Sequence, residues 1–316
     1  MSLLIDILFI VSSLVLLYFG SVWLVSGSSK LAGVYGIPPM IIGLTIVAFG
    51  TSSPELVVSV QASASGQTGL AIGNVIGSNI LNVLLILGVT AVVRPILVAK
   101  RIIRSDIPLL ISATALGIFV LWDSTLTFWD GIILIGGMLG YSAYVFFTVR
   151  HNKRNPLADA PEKIVASRKN KWLYLVMIVV GLALLIGGSR LLVIGGVDLA
   201  RMWGVSETII GLTVVSIGTS LPELAASVIA AIKGESDIAI GNIVGSNLFN
   251  LLAIAGTAAI IHPSAIEGIG ITDMVFLGGS ALLLFPLALS SLKIKRIEGA
   301  LLLGFYALYL FLIWPK

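Results

Sequence analysis

Residues 43–55 of the chain have the sequence GLTIVAFGTSSPE, and residues 211–223 have the closely related sequence GLTVVSIGTSLPE. Nine of the thirteen positions are identical, and the two stretches lie 168 residues apart. A second pair has the same offset, since AIGNVIGSNILN at 71–82 matches AIGNIVGSNLFN at 239–250 at eight of twelve positions. Gly20-Ser21 likewise corresponds to Gly188-Ser189. The chain is therefore an internal duplication in which each copy carries two long motifs.

The composition around these motifs is that of a protein embedded in lipid. Of the 316 residues, 58% are hydrophobic and only 11% are charged, whereas a soluble domain has about 25% charged residues. This excludes a soluble enzyme, a nucleic-acid-binding protein and a disordered chain. The chain has no cysteine, so disulfides, thiol chemistry and cysteine-ligated metals are excluded too. We expect the lipid bilayer as the surroundings, with no nucleic acid and no obligate protein partner.

Apolar segments long enough to cross a membrane fill most of the chain. A helix needs roughly 20 apolar residues for this, and ten segments qualify: 3–25, 37–63, 69–92, 106–122, 127–149, 172–196, 205–232, 238–261, 271–291 and 298–314. The second and seventh contain a central proline, and the third and eighth are rich in Gly, Ser and Asn. We expect these four helices to be broken.

The duplication and the segment count together predict the architecture. Each copy holds five spans, and an odd number inverts the second copy relative to the first. The sequence thus predicts an all-α integral membrane protein with ten transmembrane helices, arranged as two inverted five-helix repeats with broken helices. The first repeat covers 1–149, a linker covers 150–171, and the second, inverted repeat covers 172–316.

The basic residues predict the orientation of these spans. Sixteen of the nineteen Lys and Arg residues fall in loops on one side, and three fall on the other. Lys and Arg are enriched in cytoplasmic loops. We therefore expect a multi-pass protein of the cell (plasma) membrane, with the 150–171 linker in the cytoplasm and both termini outside.

Two acidic residues lie in the middle of apolar spans. Of fifteen acids, only Glu55 and Glu223 do so, and they are repeat mates. A lone charge at the bilayer centre costs from about 3 to well over 10 kcal/mol, and no Lys, Arg or His lies at that depth to balance it. We infer that the balancing charge is an external cation or protons. The structural alternative is a pair of permanently protonated glutamates that hydrogen-bond between helices.

The residues near these glutamates offer only oxygen ligands. Pro54 and Pro222 cannot donate to the carbonyl groups four residues earlier, and free carbonyls at membrane depth are tolerated where they line a cavity. Asn74 and Asn242 are predicted to be structural, bonding free backbone groups. Carboxylate, hydroxyl, amide and carbonyl oxygens suit Ca²⁺ and Na⁺ rather than zinc or copper. The polar candidates are Thr51, Ser52, Ser78 and Asn82, with their mates Thr219, Ser220, Ser246 and Asn250.

The motif pairs Gly50-Thr-Ser-Ser-Pro-Glu55 with Gly73-Asn-Val-Ile-Gly-Ser-Asn79, and Gly218-Thr-Ser-Leu-Pro-Glu223 with Gly241-Asn-Ile-Val-Gly-Ser-Asn247, resemble the two α-repeats of the cation/calcium exchanger superfamily. The resemblance is nearest to the prokaryotic sodium/calcium exchanger branch and covers both halves of the chain. It implies an antiporter and not an enzyme, without a cofactor, that transports Ca²⁺ and Na⁺. It also implies four ion sites between spans 2, 3, 7 and 8, with spans 1 and 6 sliding across this core.

The resemblance also assigns ligands, residue by residue. The family's calcium ligands correspond to the two glutamates and to the backbone carbonyls of Thr51 and Thr219. Its sodium-binding hydroxyls correspond to those of Ser52, Ser78, Ser220 and Ser246. Its outer carbonyl ligands correspond to the backbone carbonyls of Ala48 and Ser216. The predicted ion site comprises Ala48, Thr51, Ser52, Glu55, Ser78, Asn82, Ser216, Thr219, Ser220, Glu223, Ser246 and Asn250.

One departure from the family pattern concerns the counter-ion. Many sodium/calcium exchangers carry an aspartate at the position of Asn250, so this site has two formal negative charges instead of three. The leading hypothesis is an electrogenic Na⁺/Ca²⁺ antiporter that works by alternating access. The alternative is a Ca²⁺/H⁺ antiporter that uses the same glutamates.

Other functional classes lack their sequence features. An intramembrane enzyme would need a nucleophile or metal ligands, and the chain has no G-x-S-x-G or H-E-x-x-H motif. A primary pump would need G-x-x-x-x-G-K-[ST], which is also missing. An inverted repeat with broken helices is typical of transporters that work by alternating access. A channel would not need such a mechanism, so this architecture argues against a channel.

Overall fold

The computed structural model describes residues 3–152, 170–202, 216–266 and 268–313. Apart from four two-residue strands, the regular structure of these residues is helical. The helices follow in the order α1 (Leu3–Tyr35), α2 (Pro39–Thr51), α3 (Ser53–Ala64), α4 (Thr68–Val93), α5 (Ile102–Val120), α6 (Phe128–Asn152), α7 (Lys171–Met202), α8 (Ser216–Thr219), α9 (Leu221–Ile232), α10 (Ser236–Ile261), α11 (Ile271–Ser291) and α12 (Arg296–Ile313).

The described helices confirm an all-α integral membrane protein. Eight of them are long and apolar enough to span a membrane, and α2 and α3 together form a ninth span that is bent by 46°. The predicted seventh span, 205–232, lies partly outside the described residues, and α9 is its described end. The helix count therefore agrees with ten spans. Exposed tryptophans such as Trp122 and Trp172 near helix ends are typical of membrane interfaces.

Two short antiparallel strand pairs connect loops at opposite ends of the helix bundle. β1 (Ile96–Leu97) pairs with β4 (Lys293–Ile294), and β2 (Thr125–Leu126) pairs with β3 (Ser264–Ala265). The first pair joins the loops after α4 and α11, and the second joins the loops after α5 and α10. A ten-span chain places each of these loop pairs on one side of the membrane, so the strand pairing agrees with the predicted order of crossings.

The proline-containing spans are broken, as predicted. The break between α2 and α3 falls at Ser52, whose φ and ψ are −82° and 7°. The break between α8 and α9 falls at its mate Ser220, whose φ and ψ are −91° and 8°. In both cases the helix resumes with a proline in its first turn, where the missing N–H is not required. The same local sequence thus produces the same break in both repeats.

The predicted breaks in the third and eighth spans are wrong. Both α4 and α10 are continuous helices that contain a π-helical turn, at Asn82–Ile86 and Phe249–Ile254. Gly, Ser and Asn lower helix propensity, but unlike proline they keep the backbone N–H, so tertiary packing preserves the helix. Each π turn begins at or beside the predicted ligands Asn82 and Asn250, and such turns are frequent at functional sites.

Helices α1 and α7 are longer than predicted. The sequence prediction ended the first span at residue 25, where Ser and Lys begin to accumulate, yet α1 continues to Tyr35. Ser28 and Ser29 are buried there, whereas Lys30 is exposed. Ser29 Oγ donates to Glu235 Oε1 at 2.7 Å, and the Lys30 ammonium lies 5.8 Å from the centre of the Tyr174 ring. A helix of 33 residues is about 50 Å long and must tilt or protrude from the hydrocarbon core.

α1 and α7 pack against each other as a closely spaced pair. A Cβ atom placed on Gly20 would lie 2.9 Å from the Gly181 carbonyl oxygen, and one on Gly188 would lie 3.1 Å from the Ser13 carbonyl oxygen. Small residues at such positions let helix backbones approach closely in a membrane. This pair shares a hydrophobic cluster with α2, α9 and α10 that is separate from the main core cluster. The two helices therefore form a unit beside the remaining bundle.

Candidate cation site

The two predicted glutamates lie at the centre of the bundle. Glu55 and Glu223 are each 1% exposed, and each lies in the first turn of a helix that begins after a break. The N-terminal end of a helix carries partial positive charge that stabilises a carboxylate. The broken helices thus place both acids in equivalent, partly stabilised positions at membrane depth.

The repeats exchange hydrogen bonds at these carboxylates. Ser52 Oγ donates to Glu223 Oε1 at 2.8 Å, and Ser220 Oγ donates to Glu55 Oε1 at 3.0 Å. The serine at each break therefore binds the glutamate of the other repeat. Glu55 and Glu223, which are repeat mates, are therefore linked to each other's repeat through these two serines.

A second layer of the site consists of amide side chains from α4 and α10. Asn82 Nδ2 donates to Asn247 Oδ1 at 2.9 Å, and Asn247 Nδ2 donates to the Asn79 carbonyl oxygen at 3.3 Å. These bonds connect the two repeats directly. They also occupy the Asn82 amide nitrogen, which leaves its oxygen as the atom that can bind a ligand.

Five buried side-chain oxygens of the site have no hydrogen-bond partner among the described residues, and one of them is Asn79 Oδ1. The other four come from two repeat pairs, and two of these four belong to carboxylates. A buried polar atom without a partner costs about 1–3 kcal/mol, so such atoms in one place indicate ligands for a bound species. The four atoms are Glu55 Oε2, Glu223 Oε2, Asn82 Oδ1 and Asn250 Oδ1.

Asn74 and Asn242 bond backbone groups, which confirms their predicted structural role. Asn74 Nδ2 donates to the Glu55 carbonyl oxygen at 3.4 Å, and Asn242 Nδ2 donates to the Glu223 carbonyl oxygen at 3.4 Å. The same two amides donate to their repeat-related serines, Ser59 Oγ at 3.1 Å and Ser227 Oγ at 3.0 Å. These bonds hold the first turns that carry the glutamates.

The remaining predicted site residues lie around this centre. Thr51 Oγ1 donates to Asn242 Oδ1 at 3.1 Å, and the Ala48 carbonyl oxygen accepts from Ser246 Oγ at 3.5 Å. Ser78 is buried on α4. In the second repeat, Thr219 is half-buried at the end of α8, and Ser216 begins that helix, with its side chain outside the described part of the structure.

No basic side chain balances the glutamates within the described residues. The ion pair found there, Arg201 with Asp198 at 3.7 Å, lies at the far end of α7. The same residues contain no cluster of three or more His, Cys, Asp or Glu side chains. Two carboxylates surrounded by neutral oxygens match a hard cation such as Ca²⁺ or Na⁺. The charge balance must come from a bound cation or from protons.

Four residues outside the predicted ligand set shape the site, and two of them, Asn79 and Asn247, belong to the second motif. Asn79, Asn247, Ser59 and Ser227 were not among the predicted ligands, yet they orient the amides and the glutamate turns. The signal was available, because each pair is separated by the same offset of 168 residues. Their role is to hold other side chains in place, and that role depends on contacts between helices that the sequence does not display.

The two repeats are packed differently around the site. Gly241 and Gly245 of α10 are buried, and a Cβ atom on Gly245 would lie 2.5 Å from the Leu44 carbonyl oxygen of α2. Their mates on α4 differ, since Gly73 is exposed and Gly77 is half-buried. The helix α2 therefore covers α10 closely, whereas most of the segment that corresponds to α2 in the second repeat, 207–215, lies outside the described residues.

Comparisons with known proteins agree with this geometry. The family model for "Sodium/calcium exchanger protein" matches residues 5–148 and 173–314. A protein named as an antiporter, CaxA of Alkalimonas amylolytica, is 42% identical over 98% of both chains. The sodium/calcium exchanger MaX1 of Methanosarcina acetivorans is 30% identical over 98% of this chain and 99% of its own.

A solved structure supports the same assignment. The sodium-calcium exchanger NCX_Mj, soaked with 2.5 mM Na⁺ and 0.1 mM Ca²⁺, superimposes with a TM-score of 0.83 at 29% identity. The match covers 98% of this chain and 99% of that one. The duplicated motifs, the crossed serine–glutamate bonds and these full-length similarities lead to one conclusion: the chain belongs to the sodium/calcium exchanger protein family and is a membrane antiporter for cations.

Proposed function

We propose that this protein is an electrogenic Na⁺/Ca²⁺ antiporter that works by alternating access. The observation that carries the proposal is the set of four unpartnered, buried oxygens from Glu55, Glu223, Asn82 and Asn250. They form two repeat-related pairs and supply two negative charges, which one Ca²⁺ neutralises. Relatives named as sodium/calcium exchangers match nearly the whole chain, which favours Na⁺ as the counter-ion.

The surrounding residues provide the other ligands in this proposal. The two glutamates hold the central Ca²⁺ with the carbonyls of Thr51 and Thr219. The other predicted oxygens serve Na⁺ and the outer positions of the site: Ala48, Ser52, Ser78, Asn82, Ser216, Ser220, Ser246 and Asn250. Ca²⁺ and Na⁺ then compete for overlapping sets of oxygens, and this competition couples their movements.

The charge of the site makes the exchange electrogenic in this proposal. Two carboxylates loaded with one Ca²⁺ are neutral, whereas the same carboxylates loaded with three Na⁺ carry one positive charge. A net charge that crosses the membrane couples transport to voltage, at about 2.3 kcal/mol per charge per 100 mV. A second candidate, Ca²⁺/H⁺ exchange, is favoured by the amide at Asn250, because two protons would neutralise the two glutamates.

The proposal also places the protein in the cell membrane. The linker 150–171 faces the cytoplasm, joins repeats at 1–149 and 172–316, and both termini lie outside. The sixteen-to-three distribution of Lys and Arg supports this orientation. The two matched segments of the family model, 5–148 and 173–314, support the division into repeats.

Calcium uptake into proteoliposomes tests the counter-ion. An outward Na⁺ gradient is imposed in one set of vesicles and an outward H⁺ gradient in another, with voltage clamped by valinomycin and K⁺. We expect Na⁺ to drive uptake, and an inside-positive or inside-negative clamp to change its rate in opposite directions. Uptake driven by H⁺ alone would replace the Na⁺ proposal with Ca²⁺/H⁺ exchange.

Replacing Asn250 by aspartate should change the coupling to the monovalent ion. A third buried carboxylate beside two others raises the affinity for cations and for protons. We expect the Na⁺ concentration and the pH at half-maximal exchange to shift, on the order of tenfold or one pH unit, while selectivity for Ca²⁺ over Mg²⁺ persists. The repeat mate Asn82→Asp is the matched comparison. Unchanged Na⁺ and pH profiles would show that Asn250 is not a ligand.

A further inference from the structure

The repeated dipeptide Gly20-Ser21 and Gly188-Ser189 makes different bonds in its two copies. Ser189 Oγ, on α7, donates to the carbonyl oxygen of Gly218 at 2.5 Å. Ser21 Oγ, on α1, donates within its own helix, to the carbonyl oxygens of Leu17 at 2.7 Å and Tyr18 at 2.9 Å. Identical dipeptides in equivalent positions therefore have an interhelical bond in one repeat and a local bond in the other.

The acceptor of the Ser189 bond is the carbonyl that the proline exposes. Pro222 has no N–H to offer the Gly218 carbonyl four residues earlier, and Gly218 is buried. Ser189 supplies the missing donor from a neighbouring helix. Pro54 leaves the Gly50 carbonyl in the same situation, but that carbonyl accepts no side-chain hydrogen bond from the described residues.

The packing around the two breaks shows the same difference. A Cβ atom on Gly218 would meet Val193, and a Cβ atom on Gly50 would meet Leu182. Both contacts come from α7. If the two repeats had the same conformation, the inverted symmetry would place α1 against Gly50, because Val25 is the mate of Val193. α7 thus lies against both breaks, and the helix pair is displaced from a symmetric position.

We infer that Ser189 and Ser21 are alternating hydrogen-bond donors that stabilise the two end states of transport. In the conformation described here, Ser189 binds the Gly218 carbonyl. In the oppositely facing conformation, Ser21 binds the Gly50 carbonyl, and Ser189 donates within its own helix. This inference rests on the alternating-access mechanism proposed above.

The duplication provides the physical basis for this exchange. Each repeat contains the residues needed to adopt the conformation of the other, and an exchange of conformations conserves the number of interhelical bonds. The two states then have similar free energies, which alternating access requires.

Spin-label distances measured on the full-length protein test the inference. The chain has no cysteine, so labels attach only at introduced sites. Trp172→Cys on α7 and Leu97→Cys on β1 are exposed positions, at 69% and 60%, on the moving pair and on the bundle. Double electron–electron resonance then gives the relative populations of the two conformations, and the distance calculated from this structure identifies one of them.

The inference predicts opposite effects for the two serines. Ser189→Ala should lower the ratio of the present conformation to the alternative, and Ser21→Ala should raise it, each on the order of three- to tenfold, as typical of interhelical hydrogen bonds in membranes. The double variant should return close to the starting ratio. Ser189→Thr, which keeps the hydroxyl, should resemble the parent.

Shifts of the same sign for both serines, or no shift in either, would overturn the inference. Ser13→Ala is the control, since Ser13 Oγ bonds only the Ile10 carbonyl of its own helix, and it should leave the ratio unchanged. Calcium exchange is measured on the same samples. Intact exchange with shifts of equal sign would refute the serine inference alone, whereas a parent protein that exchanges no Ca²⁺ would refute the proposed function.

Discussion

Replacing either Glu55 or Glu223 by glutamine is expected to abolish Ca²⁺ exchange in proteoliposomes. Each substitution keeps the side-chain volume and removes half of the site's negative charge. Loss of one partner from a buried ionic interaction costs about 3–5 kcal/mol, which corresponds to a reduction in affinity of a hundredfold or more. Because the two residues are equivalent in the crossed arrangement with Ser52 and Ser220, both variants should fail to a similar degree.

Thermal denaturation in detergent separates loss of binding from loss of folding. The parent should denature at a higher temperature when Ca²⁺ is added, since a ligand that binds only the folded state stabilises it. Both glutamine variants should lose this shift and keep the denaturation temperature of the ion-free parent. Glu235→Gln is the control, because Glu235 accepts a bond from Ser29 near the end of α1, away from the site. It should retain both transport and the shift.

The same variants decide between a transport site and a purely structural pair of protonated glutamates. A protonated pair would donate hydrogen bonds that glutamine can also donate, so exchange and stability would survive the substitution. In the structure, one oxygen of each carboxylate accepts from serine and the other has no partner. That pattern fits two carboxylates that bind a cation. Near-normal Ca²⁺ transport in either variant would refute the site assignment.

The parts of the fold that depend on local chemistry could be predicted from the sequence. Proline interrupts a helix through its own covalent structure, so the breaks at Ser52 and Ser220 follow directly from the two motifs. The site acids could be found because only two carboxylates lie mid-span and the 168-residue offset relates them. In both cases one residue type, proline in a helix or a carboxylate in an apolar span, is energetically costly at its position, so its presence there can be recognised from the sequence.

The parts that depend on tertiary contacts could not be predicted. The predicted breaks in α4 and α10 are π turns instead, since weak helix propensity yields to packing. The length of α1 depends on Ser29 and Lys30 finding partners on other elements. The crossed serine–glutamate bonds require the relative placement of two repeats, which the sequence of one repeat does not contain.

The difference between the two repeats is the feature that the sequence predicts least. Two copies with nearly identical motifs predict two identical half-sites, yet Ser189 donates to the Gly218 carbonyl while its mate Ser21 donates within its own helix. Under the proposed alternating-access mechanism, sequence symmetry describes the average of the two transport states, and one structure shows one of them. The asymmetry is therefore informative about mechanism, because it indicates which contacts must form and break.

Replacing Gly245 by alanine should lower both the stability of the protein and its rate of transport. At Gly245, the new methyl group would lie 2.5 Å from the Leu44 carbonyl oxygen and 2.8 Å from the Ala48 Cβ. Overpacking of this kind costs about 1–3 kcal/mol, so the denaturation temperature should fall.

Transport should decrease as well, by roughly tenfold for a cost of about 1.4 kcal/mol in one of the two states. In Gly245→Ala, the methyl group displaces α2 and with it the Ala48 carbonyl and Thr51. Gly140→Ala is the control, since Gly140 lies on α6 with no described atom within 4 Å. Normal Ca²⁺ exchange in Gly245→Ala would show that the close contact between α10 and α2 is not needed for transport.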